Sequence, residues 1–190
     1  MNKEFVERLK KHFPDKKLVF GDGEKSTKIL LIGEAPGEQE AKQGKPFVGK
    51  AGKNLDEFIS ILKLQRKDLY ITNVVKFRPT KLSVKTGKPI NRPPKKDEIS
   101  SFKPYLIEEI ETIKPKVIVT LGNTPLKALL GDKVNIGQCH GEIQTLDLNG
   151  IEFDLMPLYH PAAIIYNQSL KEIYANDLER LRTFLEENLI

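Results

Sequence analysis

Cysteine is nearly absent: Cys139 is the single one among 190 residues. That excludes an internal disulfide, and it excludes a metal cluster held by several thiolates of one chain. Long apolar runs are missing as well. The longest candidate, residues 28–32, stops at Gly33, far short of the roughly 18 apolar residues a membrane span needs. The opening residues MNKEF show no apolar stretch of the secretory kind, so the chain reads as cytosolic, with no membrane partner. Histidine is scarce, three in all, and no two are close enough in sequence to read as a ligand pair; Cys139-His140 is too short a pair to count. Two further patterns are absent. No Gly-x-Ser-x-Gly elbow occurs, and Gly49-Lys50 is followed by Ala51, which leaves no hydroxyl for the magnesium ion of a phosphate-binding loop.

What is present describes a folded domain. Hydrophobic residues make up 39% and charged residues 30%, enough core and enough solvated surface to exclude a disordered chain. The length predicts a single domain spanning residues 1–190, without repeats or linkers. The net charge of +5 is unevenly spread: Lys76, Arg78, Lys81, Lys85, Lys88, Arg92, Lys95 and Lys96 crowd one proline-rich stretch, whereas the last segment is acidic or mixed. Such a stretch is either a solvated loop or a surface for a polyanion.

Hydrophobic spacing predicts helices over residues 2–12, 53–64, 96–113, 124–130 and 171–187, with Pro104 bending or restarting the third. Near-continuous apolar runs predict strands at 28–32, 69–75, 117–121 and 154–158, and Asn149-Gly150 marks a hairpin between 143–148 and 151–153. Alternating strands and helices of this kind make a parallel sheet covered on both faces, an α/β fold. In such sheets ligands bind beyond the carboxyl ends of the strands. The stretch Gly33–Gly37, Asn73, Gly122 and His160 all fall at such ends, so four segments are expected to converge on one crevice.

Three of these segments carry candidate chemistry. The span from Gly33 to Gly52 holds glycines that let backbone N–H groups approach a ligand, and Phe47 within it is either a core plug or a stacking face for a flat ring. Asn73 lies inside an apolar strand, where its amide must find partners: neighbouring backbone, or the edge of a base that needs a donor and an acceptor at once. His160 stands at a rigid strand exit set by Pro161.

The stretches GEAPGEQEAKQGKPFVGKAGKNL, ITNVVKFRP with NRPP and DEI, PKVIVTLG and YHPAA, in this order, resemble uracil-DNA glycosylases of family 4. The resemblance implies a three-layer α/β/α fold with a central four-stranded parallel sheet. It also implies hydrolysis of the N-glycosidic bond of deoxyuridine in single- or double-stranded DNA by a monomeric, monofunctional enzyme. Carried over, Phe47 stacks on the flipped base, Asn73 reads its edge, and His160 donates to O2. Gly33, Ala35 and Gly37 belong to the base-binding loop, and Glu34 and Glu40 match carboxylates associated with activity. Lys76, Arg78, Arg92 and Pro161 are expected at the DNA, with Ile164 as the wedge that enters the vacated duplex position. Extrusion of a base costs a few kcal/mol, which stacking and edge hydrogen bonds must offset.

Two departures from the family pattern stand out. Ala35 occupies the place where another branch of the superfamily has a water-holding aspartate. Family 4 members typically carry a four-iron four-sulfur cluster on four cysteines. Here residues 11–19 contain none, and Phe77 and Phe102 stand at the later two positions. The expectation is no cofactor, with Phe77 and Phe102 packed together in that space. Loss of the cluster leaves two rivals open: a glycosylase for hypoxanthine or xanthine, and a non-catalytic DNA-binding member. A nucleotide-binding α/β module unrelated to repair is a third. Thr86-Gly87-Lys88-Pro89 predicts a projecting hairpin in a segment longer than the family's usual link.

Overall fold

Short apolar runs become strands here because a sheet can bury both of their faces, which five residues of helix cannot do. The computed structural model describes residues 2–188. Along the chain come α1 (Lys3–His12), β1 (Asp22–Gly23), β2 (Ile29–Gly33), α2 (Glu38–Gln43), α3 (Lys50–Ile61), β3 (Leu69–Asn73), β4 (Thr80–Leu82), β5 (Pro89–Asn91) and α4 (Lys96–Ile113). Then follow β6 (Val117–Leu121), α5 (Asn123–Leu130), α6 (Ile136–Cys139), β7 (Gln144–Leu148), β8 (Ile151–Leu158), α7 (Pro161–Tyr166) and α8 (Leu170–Asn188).

The main sheet has the order β1-β3-β2-β6-β8-β7. Its four middle strands are parallel, as expected, and antiparallel β1 and β7 extend the two edges. β8 runs unbroken from Ile151 to Leu158, so the second arm of the expected hairpin and the expected fourth main strand are one element. β4 and β5 form a separate two-stranded hairpin.

Helices cover both faces. On one side Phe5, Leu9, Leu106, Ile110 and Leu126 pack on Leu30, Ile32 and Ile118. On the other, Leu55, Phe58, Leu178 and Leu181 pack on Leu31, Val117 and Val119. The strand residues alternate between the two clusters, as the period of two requires. α4 continues through Pro104 without restarting. Pro104 and Ser100, whose carbonyl loses its helical donor, both lie on the exposed face, where water can replace the missing bond. α3 begins at Lys50, three residues earlier than its apolar spacing indicates, because Gly49 provides the N-cap. The short helices α2, α6 and α7 were not foreseen: α2 has no apolar periodicity, and Glu40 is its only buried residue.

Phe77 and Phe102 do pack together, with ring centroids 5.8 Å apart. Phe13 stacks on Phe102 at 4.1 Å, and the Lys16 ammonium lies 4.8 Å above the Phe77 ring. The space is thus closed by aromatic faces and a cation. No described helix is long and apolar enough to cross a membrane.

Candidate active site

The sheet register decides where the loops meet. Gly33 pairs with Asn73 and Leu121 with Leu158, so the parallel strands end at about one level and the segments after them share the space above. A cavity of about 660 Å³ lies there, walled by Glu34, Glu40, Phe47, Asn73, Thr124 and His160, with Ala35, Gly37 and Gly122 beside them. Four distant segments therefore do converge.

Gly33 stands behind this wall. A Cβ at that position would come within 2.4 Å of Asn73 Oδ1 and 2.6 Å of Phe47 Cζ, so only glycine lets the amide and the ring approach the end of β2 together. Phe47 is buried, and it adopts a φ of 51°, in the left-handed region that side chains avoid. Such strain costs about 1–3 kcal/mol and persists only where surroundings hold it. Arg66 supplies the hold: its Nη2 donates to the Phe47 carbonyl at 2.6 Å, while its Nε donates to Asp56 at 2.7 Å.

His160 caps α7. Its Nδ1 accepts the Ala162 N–H at 3.1 Å, which places the imidazole proton on Nε2 and leaves that N–H as the ring's remaining donor. The ring lies 5.9 Å from that of Phe47, at 25° to it. Burial lowers the His160 pKa, because a desolvated ring disfavours the charged form. A titration of His160 followed by NMR is expected to give a midpoint below the ordinary value of about 6.5; a midpoint above it would contradict a neutral Nε2 donor.

The two carboxylates are held differently. Glu34 accepts a hydrogen bond from Thr124 Oγ1 at 2.5 Å, which ties the loop after β2 to the first turn of α5. Glu40 is buried and accepts the Gly49 N–H at 2.7 Å; a Cβ at Gly49 would lie 2.9 Å from its Oε1. Both carboxylates line the cavity, but Glu40 also closes the glycine-rich loop onto α2.

One expected DNA contact is corrected, and the structure places the others in varied surroundings. Lys76 is completely buried. Its Nζ donates to Thr72 Oγ1 at 2.6 Å, to the Asn73 carbonyl at 2.7 Å and to Glu109 at 2.5 Å, so all three of its protons are used inside the protein. Pro161 is buried too, its carbonyl accepting from Asn54 Nδ2. Ile164 is half-buried and packs beside Phe58 and Tyr174, away from the cavity. Arg78 and Arg92 remain partly exposed but are engaged by Glu38 and Glu98 respectively.

Among the cavity residues that escaped the sequence reading are Thr124, Asn91 and Tyr166. Thr124 had a signal, since it follows Gly122 at a strand's carboxyl end. Asn91 reaches the cavity from β5, where its Oδ1 also accepts from Arg78, and nothing local indicates that the hairpin folds that way. Tyr166, at the end of α7, lines the cavity yet is 88% exposed.

Comparison with known proteins places this geometry. The profile of the Uracil DNA glycosylase superfamily matches residues 20–183. The chain is 40% identical to the Type-4 uracil-DNA glycosylase of Saccharolobus solfataricus, over 92% of this chain and 79% of the relative. It is 41% identical to that of Sulfurisphaera tokodaii, over 85% and 72% of the two chains. Against that of Thermotoga maritima it is 37% identical, over 95% and 93%.

Proposed function

The chain belongs to the uracil-DNA glycosylase superfamily, and we propose that it takes uracil out of the DNA stack and hydrolyses its N-glycosidic bond, leaving an abasic site for base excision repair. It acts as a monomer on single- or double-stranded DNA. One observation carries this reading: the Phe47 ring, the Asn73 amide and the His160 imidazole, brought from three distant segments, wall one cavity of about 660 Å³. A ring face, a donor–acceptor pair and a neutral N–H donor are the contacts that an extruded pyrimidine requires.

As the C1′–N1 bond breaks, its electron pair passes to the base and negative charge grows on uracil O2. His160 Nε2–H stabilises that charge in a site where a preset donor needs no reorganisation. Asn73 reads the base edge and Phe47 covers its face. Glu34 and Glu40 favour the cationic sugar, and water then adds its hydroxyl to C1′ while its proton passes to the departing base or to a carboxylate.

No cluster enters the proposal. An iron–sulfur cluster needs several thiolates; the single cysteine lies in α6, and Phe77 and Phe102 fill each other's surroundings. Among the described residues no group of three or more His, Cys, Asp or Glu is placed to hold a metal ion.

A nicking assay tests the reading. Labelled oligonucleotide containing one uracil is expected to break after incubation and alkali, to stay intact without alkali, and to be cleaved about 10²-fold or more slowly by Asn73→Ala protein. Absence of alkali-dependent breaks with the parent protein would overturn it.

A further inference from the structure

Lys76 is buried and Arg78 and Arg92 are already paired with carboxylates, so cations free to meet phosphates are to be sought further along this stretch. The β4–β5 hairpin is the place. Between Phe77 and Asp97 the sequence contains no Asp or Glu. Lys81, Lys85 and Lys88 lie in this stretch on or beside the two strands, all exposed. None forms an ion pair with a described residue, whereas Arg78, Arg92 and Lys96 nearby each do.

The hairpin is built to project. Among the described residues its strands pair only with each other, in the register Thr80↔Asn91, Lys81↔Ile90 and Leu82↔Pro89. Its end is closed by Ser83 N–H to the Lys88 carbonyl at 2.9 Å and Gly87 N–H to the Ser83 carbonyl at 2.8 Å, with Gly87 at φ 63°. Beyond the strands no described residue covers it: Leu82 is 70% exposed and Val84 fully so. Two-stranded hairpins are at best marginally stable alone, and this one is anchored at its base. There Arg92 N–H donates to the Pro79 carbonyl and Arg78 holds Asn91, which itself lines the cavity.

We propose that the β4–β5 hairpin is a DNA clamp that lies along the duplex beside the extruded nucleotide, with Lys81, Lys85 and Lys88 on phosphates and Leu82 and Val84 against the sugars. The proposal rests on the uracil-excision reading for its substrate, and DNA is the occupant because the surface is uniformly basic, unpaired and continuous with the cavity wall. Reach sets its range. Thr86 lies five residues from Asn91, which at about 3.3 Å per residue spans at most about 17 Å. At about 3.4 Å per base pair that is about five pairs from the extruded base.

The test compares parent protein with the Lys81→Gln/Lys85→Gln/Lys88→Gln variant. Binding to an undamaged duplex is read by fluorescence anisotropy from 50 to 200 mM salt, and uracil release by single turnover. Three lost phosphate contacts at about 0.9 each reduce the log–log salt slope by about 2.7, so parent affinity falls about 40-fold more than variant affinity over that range. The variant's single-turnover rate at saturating DNA is expected to stay within about twofold of the parent's, and its melting temperature unchanged. In the single-turnover arm at subsaturating uracil-containing duplex, trimming below about five pairs on the hairpin side of the uracil is expected to abolish the difference between the two proteins. Equal salt slopes would overturn the clamp and leave the apolar tip as a surface for a protein partner. The binding arm needs no catalysis, so a parent that binds with the steeper slope but releases no uracil would sink the excision reading and leave the clamp standing.

Discussion

Truncating His160 to alanine is expected to slow single-turnover uracil release by about 10²–10³-fold, the loss seen when one preset donor is removed from a developing oxyanion. The expectation follows from the capping geometry. Because Nδ1 accepts the Ala162 N–H, the ring cannot also offer a proton there, and its one donor is Nε2–H. Burial keeps the ring from protonating, so the donor is neutral and its strength does not change with pH above its lowered pKa. Affinity for uracil-containing DNA is expected to change much less than the rate, since the interaction strengthens as charge develops on O2. His160→Gln, which keeps an N–H donor, is expected to recover part of the rate. A His160→Ala protein within about threefold of the parent would show that the imidazole serves only as the cap of α7.

Replacing Lys76 by methionine is expected to destabilise the fold by about 3–5 kcal/mol, the cost of leaving one member of a buried ion pair without the other. Lys76 and Glu109 are both fully buried. Glu109 also accepts from the Tyr70 hydroxyl at 3.0 Å and the Thr72 hydroxyl at 3.0 Å, so its carboxylate cannot turn to solvent when Lys76 is gone. A loss of this size is a large fraction of the 5–15 kcal/mol that holds an ordinary domain together, and urea unfolding measures it. The Lys76→Met/Glu109→Gln double variant is expected to be more stable than Lys76→Met alone, because a neutral amide still accepts from Tyr70 without an unpaired charge. If Lys76→Met lowered stability by less than about 1 kcal/mol, the pair would not be the sealed contact described above. The same network holds the Asn73 carbonyl, so it joins the stability of β3 to the placement of a cavity residue.

How far these features were legible differs from residue to residue. The parallel strands were plain because their apolar runs admit little else, and the convergence of Asn73 and His160 follows from their places at the carboxyl ends of such strands. The inner face of α4 was legible too. Ile99, Phe102, Leu106 and Ile110 recur at three and four residues, and the last three are buried; Glu109, buried beside them, was not read from that spacing. Its partner was not legible: Lys76 sits in a basic stretch and reads as solvated until α4 is laid across β3. Ile164 lies apart from the cavity for a related reason. Its place after His160-Pro161 suits a loop, but the segment is helical, and α7 turns Ile164 toward Phe58 and Tyr174. Tyr166 is left exposed beside the cavity instead. The hairpin turn at Thr86-Gly87 was readable locally, while the position of Asn91 in the cavity wall was not.

The amino-acid order alone determined the α/β architecture and the glycine-rich loop, because those depend on local spacing and on burial along single segments; it offered Phe47, Asn73 and His160 as candidates, and their roles came from the family resemblance. Which cations face solvent, which carboxylate meets which donor, and that Phe47 is held in a strained conformation by Arg66 were decided only in three dimensions. Those depend on pairs of groups far apart in the chain, whose ionic and hydrogen-bond energies exist only once packing has removed the water between them.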